Sequence, residues 1–243
     1  MIDAEKINIS SVNESKKDSS KLTLSFSNYT WYIKSGDASP GPNCWSANNA
    51  FVDSIGRLHL KITFNQGTQK WDCAEIWTTD SLGFGTYEWL IDGPIDKLDK
   101  NIVLGLFNYP ASPKVPDATN EIDIEYAKWG LESKKAGNFT VWPATLLNGF
   151  TNQTFPFKIS LSNTKTLQRF IWSSTSVVFQ SFRGWEPNKD SVVSCQTFSP
   201  KNPTLFIPQT AEPVHLNLWL FRGLAPSDNS PVEIIIHKFQ KYE

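Results

Sequence analysis

The stretch Asn120-Glu-Ile-Asp-Ile-Glu-Tyr126 alternates acidic and β-branched apolar residues with a period of two. A strand sends alternate residues to opposite faces, so Ile122 and Ile124 must point one way and Glu121, Asp123 and Glu125 the other. The three carboxyls then recur at about 7 Å per step, close enough for like charges to oppose one another's ionisation. Acidic residues are poor strand formers, and three in five positions carry a propensity cost that solubility alone does not require. The plain alternative is a solvated acidic face. Against it stand the flanking segments, rich in Trp, Phe and Tyr, which would put the carboxyls in a partly desolvated cleft where their pKa values separate.

Outward from this strand the chain reads as short apolar or alternating runs separated by turn residues. The spacing predicts strands at 22–26, 57–64, 73–79, 84–91, 101–108, 120–127 and 139–142. Further strands are predicted at 157–161, 167–172, 177–182, 192–198, 205–207, 214–221 and 232–239. Turn signals fall at Asp53 to Gly56, Asn65 to Gly67, Gly83 to Gly85 and Asn188 to Asp190, where Gly or Asn accepts a positive φ. No ten-residue stretch keeps helical periodicity. Many short strands without crossover helices imply an all-β sandwich of jelly-roll type, two antiparallel sheets in a single domain over residues 21–243. The polar segment 1–20 is expected to be flexible.

The 243 residues carry 23 basic and 24 acidic side chains, and no basic run exceeds two residues, which argues against nucleic acid as partner. No apolar stretch approaches the length of a membrane helix, so no membrane association is expected. A signal peptide is not legible at the start. Five Asn-x-Ser/Thr sequons, at Asn8, Asn13, Asn28, Asn138 and Asn152, are of a kind that arises by chance in such a chain. Of the ten Trp, sixteen Phe and six Tyr, about two thirds are expected to fill the core, and the remainder could stack on the apolar faces of sugars.

Hydrolysis of a glycosidic bond needs one carboxylate that attacks and one carboxyl that still holds its proton; retaining enzymes place the two about 5–5.5 Å apart. Glu121 and Glu125 on a flat strand would have Cα atoms about 13 Å apart, so the strand must bend or the side chains lean together. A concave sheet supplies that curvature.

Glu121-Ile-Asp-Ile-Glu125 resembles the catalytic signature of glycoside hydrolase family 16, in the tight spacing of lichenases and transglycosylases. Pro42 to Asn49, Gly56 to Leu60, Trp71 to Glu75, Gly83 to Glu88, Leu106 to Tyr109 and Leu216 to Trp219 are similar to lichenase segments in the same order. The resemblance covers roughly residues 40–239. It implies a concanavalin A-like jelly roll and a secreted enzyme that acts on β-1,3- and/or β-1,4-linked glucan by way of a covalent glycosyl-enzyme intermediate. Glu121 is then the nucleophile, Glu125 the general acid/base and Asp123 the residue that tunes them. Glucan contacts are implied for Asn48, Glu75, Phe107, Tyr109, Asn217 and Trp219. Cys44 and Cys73 match a lichenase disulfide; a loop of about 30 residues closed in this way would add roughly 3–4 kcal/mol. Cys195 is expected to be a buried small residue. No cofactor is required; a structural calcium ion fits the resemblance but no residue pattern here calls for it. A monomer acting on polysaccharide or oligosaccharide is expected.

Three departures limit the likeness. Thr119-Asn120 replaces Trp-Asp before the first glutamate, Trp77 stands where a substrate-binding arginine is usual, and Thr166-Leu-Gln168 replaces His-Thr-Tyr. Trp77 would offer the sugar a flat apolar surface instead of a cation. His59, His215 and His237 lack metal-ligand spacing and are expected to be satisfied strand residues. Two other functions fit the same pattern: a transglycosylase sharing the covalent intermediate, and a glucan-binding lectin-like module, which would have no need of a protonated glutamate.

Overall fold

The computed structural model describes residues 22–132, 135–146 and 152–243; the segment expected to be flexible, 1–20, lies outside them. The chain folds as a β-sandwich. One sheet runs, in spatial order, Thr23–Phe26, Tyr29–Ile33, Lys70–Thr78, Val214–Leu220, Ile102–Asn108, Ile122–Ala127, Gly137–Val141 and Gln153–Phe157, antiparallel throughout. The back sheet runs Ala50–Val52, Leu58–Asn65, Val232–Tyr242, Gly85–Asp92, Lys165–Trp172, Val177–Arg183 and Val192–Phe198. Leu58–Asn65 pairs at its far end with Lys70–Thr78 and so joins the two sheets at a corner. This is the jelly roll expected from the sequence.

The strands follow from the side-chain period. Ile122 and Ile124 are fully buried, as are Leu104, Leu106, Leu216 and Leu218 on the neighbouring strands, while the residues between them face the other way. Aromatic rings lock one sheet to the other. Phe139 stacks on Phe179 at 4.9 Å, and Trp31 meets Phe239 edge-on at 5.5 Å. Such pairs contribute about 0.5–1.5 kcal/mol beyond the apolar area they bury. At the 53–56 turn, Asp53 Oδ1 accepts from the amides of Ile55 and Arg57, and Gly56 takes a φ of +84° that a side chain would resist.

The structure moves several of the expected elements. The run predicted at 157–161 pairs instead as Gln153–Phe157, an edge strand that tolerates Pro156. Ile159 and Leu161 still pack against the core, and their burial produced the misleading alternation. Pro203–Phe206 is a single helical turn where a strand at 205–207 was expected; Pro203 sits in its first turn, where a missing N–H costs nothing. Short strands at Tyr29–Ile33, Gly36–Ala38, Asn43–Trp45 and Ala50–Val52 carry too little pattern to be read locally.

The expected disulfide is not made: Cys44, Cys73 and Cys195 are all free. Asn43–Trp45 lies parallel to Lys70–Thr78 with Cys44 opposite Asp72 and Trp45 opposite Cys73. That offset by one residue sends the two sulfurs to opposite faces. Cys73 Sγ reaches Asn43 Oδ1 at 3.5 Å, and Cys44 turns toward Asp37 and Asp72. Cys195 is exposed rather than buried.

Candidate active site

A cleft of about 830 Å³ lies across the first sheet. Its floor is set by register. Thr140, Asp123, Phe107, His215, Trp77 and Tyr32 form one row of directly opposed residues across six strands. The adjacent row runs Asn138, Glu125, Gly105, Asn217 and Glu75. Residues more than 100 positions apart in the chain, Phe107 and His215 or Gly105 and Asn217, thus stand side by side next to Asp123 and Glu125.

Glu121 precedes the strand ladder, which begins at Ile122. Two asparagines fix this entry. Asn108 Oδ1 accepts the Ile122 amide at 2.9 Å, and Asn120 adopts a left-handed φ of +57°. Asn120 Nδ2 donates to Ala144 O at 2.9 Å while its amide donates to Pro143 O at 2.8 Å, tying the approach to the 143–146 loop. Thr119, fully buried, donates its hydroxyl to Pro116 O. Thr119 and Asn120 are therefore part of the scaffold under Glu121.

All three carboxyls of the acidic strand line the cleft. Burial pushes Glu121 up to about 8; direct contact with Asp123 lowers it, and the charges of Glu125, Asp117 and Glu75 raise it further. Burial and then the Glu121 charge raise Asp123 well above the usual carboxylate range, against the pull of the Trp142 indole, whose Nε1 donates to Oδ2 at 2.9 Å. Glu125 is raised by burial first and by the Asp123 charge second. Three coupled carboxyls in so little water cannot all ionise at neutral pH. The arrangement can hold one carboxylate beside carboxyls that keep a proton.

Further along the floor, Glu75 is 5% exposed and its oxygens are both engaged. Oε2 binds Lys34 Nζ at 2.7 Å and Oε1 meets His215 Nδ1 at 3.2 Å. Burial works against its charge, but His215 and Lys34 outweigh that and hold Glu75 below its ordinary value. Lys34 also donates to Ser39 O at 2.6 Å and lies over the Trp45 ring, closing that end of the cleft with Ser39, Pro40 and Gly41.

Of the residues singled out in the sequence, Glu75, Phe107, Tyr109, Asn217 and Trp219 line the cleft together with the acidic triad. Tyr109 donates its hydroxyl to Asp117 Oδ1 at 2.9 Å. Trp219 packs against Trp129, ring centroids 6.5 Å apart. Asn48 lies outside the cleft lining, in the short turn Ala47–Asn49 capped by Ser46. Trp77 also lies outside it: directly opposed rings on a sheet stand upright and face each other, so Trp77 is held between His215 at 5.8 Å and Tyr32 at 5.6 Å. Thr166 and Gln168 are buried between the sheets, where the Tyr126 hydroxyl donates to Gln168 Oε1, so that departure does not reach the cleft.

Sequence reading missed Lys34, Asp117, Trp129, Trp142 and His215 as cleft residues. His215 was the one within reach, because it is two residues before Asn217 on the same strand and must share its face. His59, by contrast, binds Asp53 and Glu233, and His237 lies beside Asp92 and Trp185, both away from the cleft.

The chain is a β-sandwich with a groove across one sheet and coupled acids on its floor, and known proteins are similar to it in fold and, over part of the chain, in sequence. A β-glucanase of Paenibacillus macerans is 36% identical over 105 residues, 42% of this chain and 41% of that protein. The match thus spans about two fifths of the curated relative's length. A Bacillus licheniformis β-glucanase structure superposes with a TM-score of 0.62 at 22% identity, covering 92% of this chain and 98% of that one. A laminarinase from Flavobacterium sp. UMI-01 gives 0.67 at 16% identity over 88% and 93%. No family model matches the chain. The resemblance to glycoside hydrolase family 16 read from the sequence is borne out by these likenesses.

Proposed function

We propose that the chain is a glycoside hydrolase of the family 16 type, an endo-acting β-glucanase that cleaves β-1,3- and/or β-1,4-linked glucan with retention of configuration. The observation that carries this reading is the raised and coupled set Glu121, Asp123 and Glu125 on the cleft face of one strand. In the first step Glu121 carboxylate attacks the anomeric carbon while Glu125 gives its proton to the departing glycosidic oxygen, leaving a glycosyl ester on Glu121. In the second, Glu125, now ionised, takes a proton from water, and the resulting oxygen displaces Glu121. Asp123, anchored by Trp142, touches Glu121 on one side and raises Glu125 through its charge on the other, so that it links the two glutamates. Phe107, Tyr109, Asn217 and Trp219 supply apolar edges and hydrogen-bonding groups to the sugar. A polymeric substrate is met outside the cell, which keeps the secreted setting as the expected one.

The test is reducing-sugar release from laminarin, lichenan and xyloglucan, with the first-formed anomer followed by proton NMR. The β-anomer first supports retention; the α-anomer overturns double displacement. Glu121→Gln is expected to lose nearly all turnover while still binding oligosaccharide. Products longer than the starting substrate would show a sugar hydroxyl competing with water, and binding without cleavage would make the protein a lectin-like module.

A further inference from the structure

His215 sits on the cleft floor two strand spacings, about 10 Å, from Asp123 in the same row. Its ring is held on both faces: Phe107 stacks on one side at 5.0 Å and 28°, Trp77 on the other at 5.8 Å and 9°. Tyr109 closes one edge at 6.0 Å, nearly perpendicular. Nδ1 is committed to Glu75 Oε1, whose charge Lys34 fixes from the other side. A carboxylate accepts only, so Nδ1 carries the hydrogen, and in the neutral ring Nε2 is left as an acceptor. Among the described residues Nε2 has no hydrogen-bond partner, yet it is not among the buried polar atoms that lack one. His215 itself lines the cleft.

We propose that His215 is a substrate-binding residue whose Nε2 takes a hydrogen bond from a hydroxyl of a glucosyl unit lying over Phe107 and His215. This rests on the glucanase reading and adds a residue that fixes sugar orientation away from the reacting bond. Upright packed rings give the sugar edges instead of faces, so recognition in this part of the floor is by hydrogen bonding. A ligand that lacks hydroxyls at this position leaves Nε2 bare in a site built to use it, and is discriminated against.

The experiment compares wild type with His215→Phe, which keeps the stacked ring and loses both nitrogens, and His215→Gln, whose amide nitrogen or oxygen can stand near the Nε2 position. kcat and KM are measured on lichenan and laminarin, and binding of laminaritetraose and cellotetraose is measured calorimetrically in the Glu121→Gln background, with thermal melts verifying the fold. His215→Phe is expected to raise KM and weaken oligosaccharide binding about tenfold with kcat changed by less than about threefold, and His215→Gln to recover a substantial part of the loss. Unchanged KM and affinity in a folded His215→Phe would overturn the assignment, as would a fall in kcat alone. A wild type that neither cleaves nor binds any of these glucans would overturn the glucanase reading, and the role of His215 with it.

Discussion

The Trp142 indole donates its Nε1 hydrogen to Asp123 Oδ2 across 2.9 Å, from the strand edge to the middle of the acidic triad. Oδ1 of the same carboxyl is buried without a hydrogen-bond partner, and the side chain lies beside Glu121. Asp123 is thus held from one side and left to interact with a glutamate on the other, which makes it the group through which the three ionisations are linked.

That linkage sets the pH profile. Glu125 has to hold its proton for the first step, and its upward displacement comes from burial first and the Asp123 charge second. Activity is expected to persist well above the ordinary carboxylate range and to fall as pH rises through the raised values of the coupled set. Asp123→Asn removes one source of negative potential, so the alkaline limb of kcat against pH should move toward lower pH. A limb that stays in place or moves upward would show that Asp123 does not act on Glu125 through its charge.

Stability responds to pH in the same direction. Glu121 is raised in the folded state, so the stability it allows is complete below its unfolded value and is lost as pH climbs toward about 8. Glu121→Gln removes that loss. The variant should melt above the wild type by about 1 kcal/mol or more at pH 8, equivalent to ~2–4 °C in a chain of this size, and the gap should close toward pH 4. Parallel melts of the two proteins from pH 4 to 8 measure it directly.

Asn120 holds a left-handed backbone immediately before Glu121. Asn120→Ala should destabilise by about 1 kcal/mol or more, since a β-carbon without a compensating side-chain bond is costly there. Asn120→Gly keeps the conformation but loses the link to Ala144 O, so it should melt closer to wild type. If the backbone angle is what aims Glu121, kcat should drop more in the alanine variant than in the glycine one; equal kcat values would assign Asn120 to loop anchoring alone.

Gly105 separates Glu125 from Asn217 on the cleft floor, and a β-carbon built there would collide with Asn217 Oδ1. Gly105→Ala should lower stability by about 1–3 kcal/mol and raise KM by displacing Asn217. A variant with normal Tm and KM would mean that the floor accommodates more bulk than its register implies.

Free thiols make a simple contrast with a bridged loop. Reducing agent should leave Tm unchanged, where a Cys44–Cys73 bond would have been lost with a drop of several degrees. The same melt in oxidising buffer guards against a bond that forms only there.

Much of this protein is legible without coordinates. Period-two alternation at Ile122 and Ile124 sorts the acids from the core, because a strand's two faces are a property of its own backbone. The likeness of residues 71–75, 106–109 and 216–219 to one family located Glu75, Phe107, Tyr109, Asn217 and Trp219 in the cleft lining. What failed locally was short or ambiguous: strands of three residues, and Ile159 and Leu161, which are half-buried by packing without being in a ladder.

The remainder belongs to long-range register. Nothing local says that His215 will lie between Phe107 and Trp77, that Lys34 will close the cleft by gripping Glu75, or that Cys44 will face Asp72 instead of Cys73. A one-residue slip in any ladder reverses which side chains meet, and the free energy that fixes each register comes from the whole buried core. The sequence determined which groups are acids and which faces are apolar. Tertiary structure decided which of them touch and how much water remains around them, and therefore which carboxyls keep their protons.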